Sequence, residues 1–154
     1  MLKACAVRWG KGDVEREQIH SQLLADCHYL GKLPTSAVLL NRNSILPWFV
    51  LVPDTQLTDL LDLPEEHLGA VIQDCAAISR FIKQVMGYQK VNFAGLGNVV
   101  PQMHLHVIGR SEADHCWPRP VWGELPLARP YPPDQLREFR DGLVAMAGMD
   151  PAEL

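Results

Sequence analysis

The residues best placed to do chemistry lie in one short stretch, Pro101-Gln102-Met103-His104-Leu105-His106-Val107-Ile108. A strand sends successive side chains to opposite faces. Gln102, His104 and His106 are therefore expected on one face, and Met103, Leu105 and Val107 on the other. The apolar face suits a core helix. The polar face carries an amide and two imidazoles, groups that are costly to bury without partners, so it is expected to border a cleft or water. Three readings follow. The histidines are structural and internally satisfied; or His104 and His106 converge on a metal ion, which needs a third ligand; or one neutral imidazole attacks phosphorus while its neighbours bind the phosphate oxygens. A cupin-type strand would carry Glu four or five positions after the second histidine, whereas Glu112 stands six on.

The elements around this stretch have to position it. Residues 14–30, VEREQIHSQLLADCHYL, read as a helix that Gly31 would end. Residues 37–41 read as a strand. A turn at Arg42-Asn43-Ser44 and the apolar run WFVLV after Pro47 make a hairpin whose second strand is covered on both faces. The strongest helix signal follows Pro64: Leu68, Val71, Ile72, Cys75, Ile78, Ile82, Val85 and Met86 form one stripe that stops at Gly87. Further strands are expected at about 90–96 and 103–110. Residues 117–133 hold six prolines, so they are expected to form an extended surface arm, with a short helix at about 134–146 closing the chain. Strands outnumber one long helix, which indicates an α+β fold with a mainly antiparallel sheet of about five strands. No strand leads into a G-x-G-x-x-G turn, so a dinucleotide-binding reading fails.

Composition narrows the function classes. The chain has 154 residues, enough for one domain, with 47% hydrophobic and 21% charged residues. Fourteen basic and 18 acidic side chains give a net charge of −4. The basic residues are scattered, which argues against a duplex nucleic-acid binder. Cys5, Cys27, Cys75 and Cys116 form no C-x-x-C pair and read as free thiols of a reducing compartment. The opening MLKACAVRWG is too short and polar for a signal-peptide core, and no apolar run spans a bilayer. A soluble, cytoplasmic protein without membrane partners is expected.

Three ordered segments give the chemistry a family. AVLLNRNSILPWFVLVPD resembles the first hairpin of the fragile-histidine-triad branch of the histidine triad (HIT) superfamily. VNFAGLGNVVPQMHLHVIGR resembles that superfamily's asparagine, glycine-loop and triad segment, and WPRPVWG resembles the end of its nucleotide-binding branch. The resemblance, closest to diadenosine polyphosphate hydrolases, covers roughly residues 20–123. It implies a single HIT-like domain over 1–154, with 1–15 an N-terminal segment without a clear element and 117–154 the Pro-rich arm and short helix.

The resemblance also implies the roles. His104 falls on the nucleophile, which attacks the α-phosphate of a nucleotide to form a covalent nucleotidyl-histidine that water or another acceptor releases. The substrate would be a dinucleoside polyphosphate or a phosphoramidate. His106 and Gln102 are the remaining catalytic positions, and Asn41, Asn92 and Asn98 are substrate-binding: ribose for Asn41, phosphate for the other two. A homodimer is implied, with no cofactor and no metal. Two departures stand out. Gln102 occupies the first triad position, where the family has His, and an amide cannot become cationic. Val99 stands where Ser or Thr can hand a proton to the leaving group. A nucleotide-binding protein with little turnover is therefore kept beside the enzyme, and a metal-dependent hydrolase using His104 and His106 stands behind both.

Overall fold

A computed structural model describes residues 16–125 and 128–154. Cys5, Val14 and the segment 1–15 lie outside them. The described chain builds a six-stranded sheet in the order β4-β5-β3-β2-β1-β6. The strands are β1 (Cys27–Lys32), β2 (Ser36–Asn41), β3 (Trp48–Pro53), β4 (Lys90–Gly95), β5 (Leu105–Arg110) and β6 (Asp150–Pro151), and every neighbouring pair is antiparallel. The helices are α1 (Ser21–Asp26), α2 (Glu65–Gln84) and α3 (Pro133–Ala147).

The sheet separates two apolar layers. On one face Val38, Leu40, Phe49, Leu51, Leu105 and Val107 pack with Met103 against Val71, Cys75, Ile78, Phe81 and Ile82 of α2 and Leu136, Phe139 and Leu143 of α3. On the other face Cys27, Ala37, Leu39, Trp48, Val50, Val52 and Ile108 meet Ile19 and Leu23 near α1 and Cys116 and Val121 of the arm. The β2–β3 hairpin and the burial of β3 on both faces follow the sequence expectation. So does the helix after Pro64, although its buried stripe takes in Asp74 and Phe81 and leaves Ile72 and Val85 exposed. Asp74 accepts from the amide and hydroxyl of Thr35, at 2.9 and 2.7 Å, and so ties the β1–β2 turn to the helix.

Two expectations are corrected. Residues 14–30 are not one helix: a short 3₁₀ turn at Arg16–Gln18 and α1 give way to β1 at Cys27. Pairing of β1 with β2 on one side and β6 on the other overrides the weak local helix preference. Gly31 is therefore no helix stop; it sits within β1 at φ +151°, where an added Cβ would run into the carbonyl of Asp150. The described part of the Pro-rich segment 117–133 lies mostly at the surface, as expected, but is not extended throughout: it turns over 117–119 and 121–124 and buries Val121 against the sheet.

Candidate active site

The two histidines arrive on β5 and just before it. His106 is the second residue of β5; its register partners are Ala94 on β4 and Val50 on β3. It thus belongs to the face opposite α2, as alternation requires, while Leu105 and Val107 enter the α2 core. His104 precedes the strand, and its imidazole meets that of His106 edge to face, centroids 5.0 Å apart. Both are buried, at 9% and 8% exposure. The polar face is therefore more enclosed than the sequence pattern led us to expect.

Each ring is held by one nitrogen. His104 Nδ1 lies 2.7 Å from the backbone carbonyl of Gln102, which only accepts, so Nδ1 carries the proton and Nε2 keeps a lone pair. His106 Nδ1 accepts from the indole Nε1–H of Trp48 at 2.9 Å. Burial, and secondarily the neighbouring His104, pulls the His106 pKa down from 6.5 to about 4. His104 also lines a cleft of about 450 Å³ bounded by Thr58–Asp62 and the glycine loop Gly95-Leu96-Gly97.

The remaining sequence-derived positions divide. Gln102 stands beside the histidines, but its amide faces the N-terminal segment: Oε1 accepts from the amide of His20 at 2.7 Å and Nε2 donates to the carbonyl of Gln18 at 3.0 Å. Asn41 ends β2 and accepts from the amide of Asn43 at 2.9 Å, a turn-forming contact. Asn92 Oδ1 accepts from Arg110 Nη1 at 2.7 Å, so its acceptor end is committed. Asn98 is exposed in the β4–β5 loop, as is Val99 at 90%. Among the described residues no group of three or more His, Cys, Asp or Glu side chains is placed to hold a metal ion.

Sequence reasoning missed two supports of the site. Trp48 enters the sequence only as the first residue of the apolar run WFVLV, and nothing local marks it as a hydrogen-bond donor to His106. Arg110 was given no role, yet it is 1% exposed and organises the arm. It donates to both carboxylate oxygens of Asp114, at 2.8 and 3.1 Å, and to the carbonyl of Arg119 at 2.9 Å, and it lies 5.7 Å from the ring centroid of Trp117. Asp114 also accepts from the amides of Ser111 and Cys116. Burial pushes its carboxyl up, but these hydrogen bonds, with Arg110's first, outweigh burial and hold it below the usual range. The i, i+4 spacing of Arg110 and Asp114 was the available signal.

Comparison with known proteins places the chain in a family. The HIT domain family model matches residues 22–113. A bis(5'-nucleosyl)-tetraphosphatase (asymmetrical) of Schizosaccharomyces pombe is 30% identical over 96 residues, 58% of this chain, and the chain spans about half (53%) of that relative's length. Crystal structures of histidine triad proteins from Bradyrhizobium japonicum and Marinobacter aquaeolei superpose with a TM-score of 0.78 each. They are 34% and 36% identical, cover 84% and 85% of this chain, and are each covered over 96% of their own length. The chain belongs to the HIT domain family.

Proposed function

We propose that this protein is a nucleotide phosphohydrolase or nucleotidyl transferase that works through a covalent nucleotidyl-histidine on His104. The observation that carries the reading is the Nδ1–H of His104 held on the Gln102 carbonyl, with a lone pair left on Nε2, in a residue that borders a cleft. A nitrogen so prepared offers its electron pair for attack without a separate base to deprotonate it. Nε2 attacks the α-phosphorus, the bond to the leaving group breaks (a polyphosphate leaves as the oxyanion, the amine of a phosphoramidate takes a proton from solvent), and the Gln102 carbonyl stabilises the positive charge on the ring. Water or another acceptor then attacks the same phosphorus and the P–N bond breaks, returning neutral His104. Phosphate oxygens would be met by His106 Nε2–H, by the amide NH₂ of Asn92 and by Asn98, with Asn41 at the ribose. The S. pombe relative's activity supports a dinucleoside tetraphosphate as the first substrate to try.

One observation favours the second reading, nucleotide binding with little turnover. Gln102 spends its amide on the Gln18 and His20 backbone, and Val99 offers no hydroxyl, so neither is equipped to hand a proton to a leaving group. A screen of diadenosine tetraphosphate and an adenosine phosphoramidate in ¹⁸O-water separates the two. The enzyme reading expects cleavage with label in the nucleotide's α-phosphate; saturable binding without cleavage supports the binding protein.

We also read the chain as a homodimer. Among the described residues strand β4 is a sheet edge; it carries half-exposed Phe93 and is followed by half-exposed Leu96 and exposed Val99. Such an apolar edge invites pairing with a second copy. Sedimentation of the wild type as a dimer and of Phe93→Asp as a monomer would support this; a wild-type monomer at micromolar concentration would contradict it.

A further inference from the structure

We propose that Trp48 is a positioning residue that locks His106 in its Nε2–H tautomer and so makes it a fixed hydrogen-bond donor beside the nucleophile. An indole Nε1–H can only donate, so the His106 nitrogen it reaches at 2.9 Å must present a lone pair. The proton of a neutral imidazole then sits on Nε2. A second proton on Nδ1 would set N–H against N–H beside a buried indole. That site is built from three rings. Trp48, His106 and Trp122 pack mutually edge to face, with centroids 5.4–5.6 Å apart. Trp122 reaches it from the arm whose earlier turns Arg110 and Asp114 hold. From β3 and β4 the direct neighbours of His106 are Val50 and Ala94, and among the described residues His104 is the titratable group that faces it.

The consequence is a division of labour between two adjacent imidazoles. His104 is pinned with its proton on Nδ1 and its lone pair on Nε2; His106 is pinned the other way round. One ring supplies the electron pair and the other supplies N–H, and neither has to change its protonation state to take up its role. The role of the N–H as a phosphate donor rests on the proposed covalent reaction; the tautomer does not.

The test is ¹⁵N NMR of histidine-labelled protein, read beside steady-state kinetics with diadenosine tetraphosphate. In the wild type the His106 ring is expected to show an unprotonated Nδ1 and a protonated Nε2, unchanged between about pH 5.5 and 8. Trp48→Phe keeps an aromatic ring but removes the N–H. It is expected to give a mixture of tautomers and a His106 that titrates nearer the ordinary range. It should also lower kcat about tenfold with KM little changed, the scale of one lost orienting hydrogen bond. A wild-type His106 with its proton on Nδ1, or a Trp48→Phe enzyme with wild-type tautomer and kcat, would overturn the proposal. The wild-type spectrum decides even if the variant folds poorly. Absence of any turnover with the expected tautomer in place would count against the covalent reaction and leave the Trp48 assignment standing.

Discussion

The imidazoles of His104 and His106 stand with their planes at 80° and their centroids 5.0 Å apart, each tethered through Nδ1 to a partner of opposite character. Gln102's carbonyl takes a proton from one; Trp48's indole gives a proton to the other. The two rings thus present opposite functions at Nε2, a lone pair on His104 and an N–H on His106, and substitutions at either ring have different expected outcomes.

Replacing His104 by Gln keeps the bulk of a 9%-exposed side chain while removing the nucleophile. Turnover is expected to fall by roughly 10³-fold or more, the scale on which loss of a nucleophile is felt, with nucleotide affinity and unfolding temperature close to wild type. Because the side chain is buried, Gln is a cleaner test than truncation to Ala. Wild-type turnover by His104→Gln would remove the residue from the mechanism.

His106 makes stability depend on pH. Its pKa is about 4 in the folded chain against 6.5 when unperturbed. As pH falls below 6.5 the unfolded chain binds a proton that the folded chain refuses, so stability is lost on acidification until about pH 4 and not further below it. The whole step is worth about 3 kcal/mol. Denaturant melts of wild type and His106→Gln at pH 7.5, 5.5 and 4 (about one unit above, one below and two and a half below the ordinary histidine pKa) are expected to show a difference that shrinks with falling pH. A difference that stays constant would contradict the assignment.

Arg110 and Asp114 are 1% and 3% exposed, and removing one leaves the other buried without its counter-charge. Arg110→Met is expected to cost about 3–5 kcal/mol. It should also loosen the arm, which Trp117 and Trp122 report by red-shifted fluorescence before global unfolding. A loss under about 1 kcal/mol would mean that the pair is weakly coupled to the fold.

Gln102→Leu removes both bonds to the Gln18 and His20 backbone. Amide exchange over α1 is expected to speed up, with about 1–3 kcal/mol lost locally at two hydrogen bonds. Gln102→His is expected to lose at least one of the two bonds, since a ring cannot span the same acceptor and donor as an amide. Unchanged exchange over residues 18–24 in Gln102→Leu would show that the segment is held by Ile19 and Leu23 packing alone.

What the sequence made legible was whatever depends on local period. The α2 stripe, the alternation that parts His106 from Leu105 and Val107, and the β2–β3 hairpin are all written in spacing. What it hid depends on distant partners. Strand β1 has no alternating pattern of its own and exists because β2 and β6 flank it. Trp48 and His106 are 58 positions apart, and Thr35 and Asp74 are 39 apart, so neither bond has a local signature. The arm's prolines point to the absence of helix and inner strand before α3, but its turns, the burial of Val121 and the Arg110 bond to the Arg119 carbonyl appear only in the fold.

The central claim is a bond between phosphorus and His104. The most direct measurement mixes the protein with excess diadenosine tetraphosphate for a few catalytic cycles, quenches in alkaline denaturant to preserve an acid-labile P–N bond, and maps the peptides by mass spectrometry. The account expects a nucleotidyl adduct on the peptide that contains His104, localised to that residue and absent from His104→Gln. Rapid substrate cleavage with no adduct at any quench time, or an adduct on a residue other than His104, would contradict it.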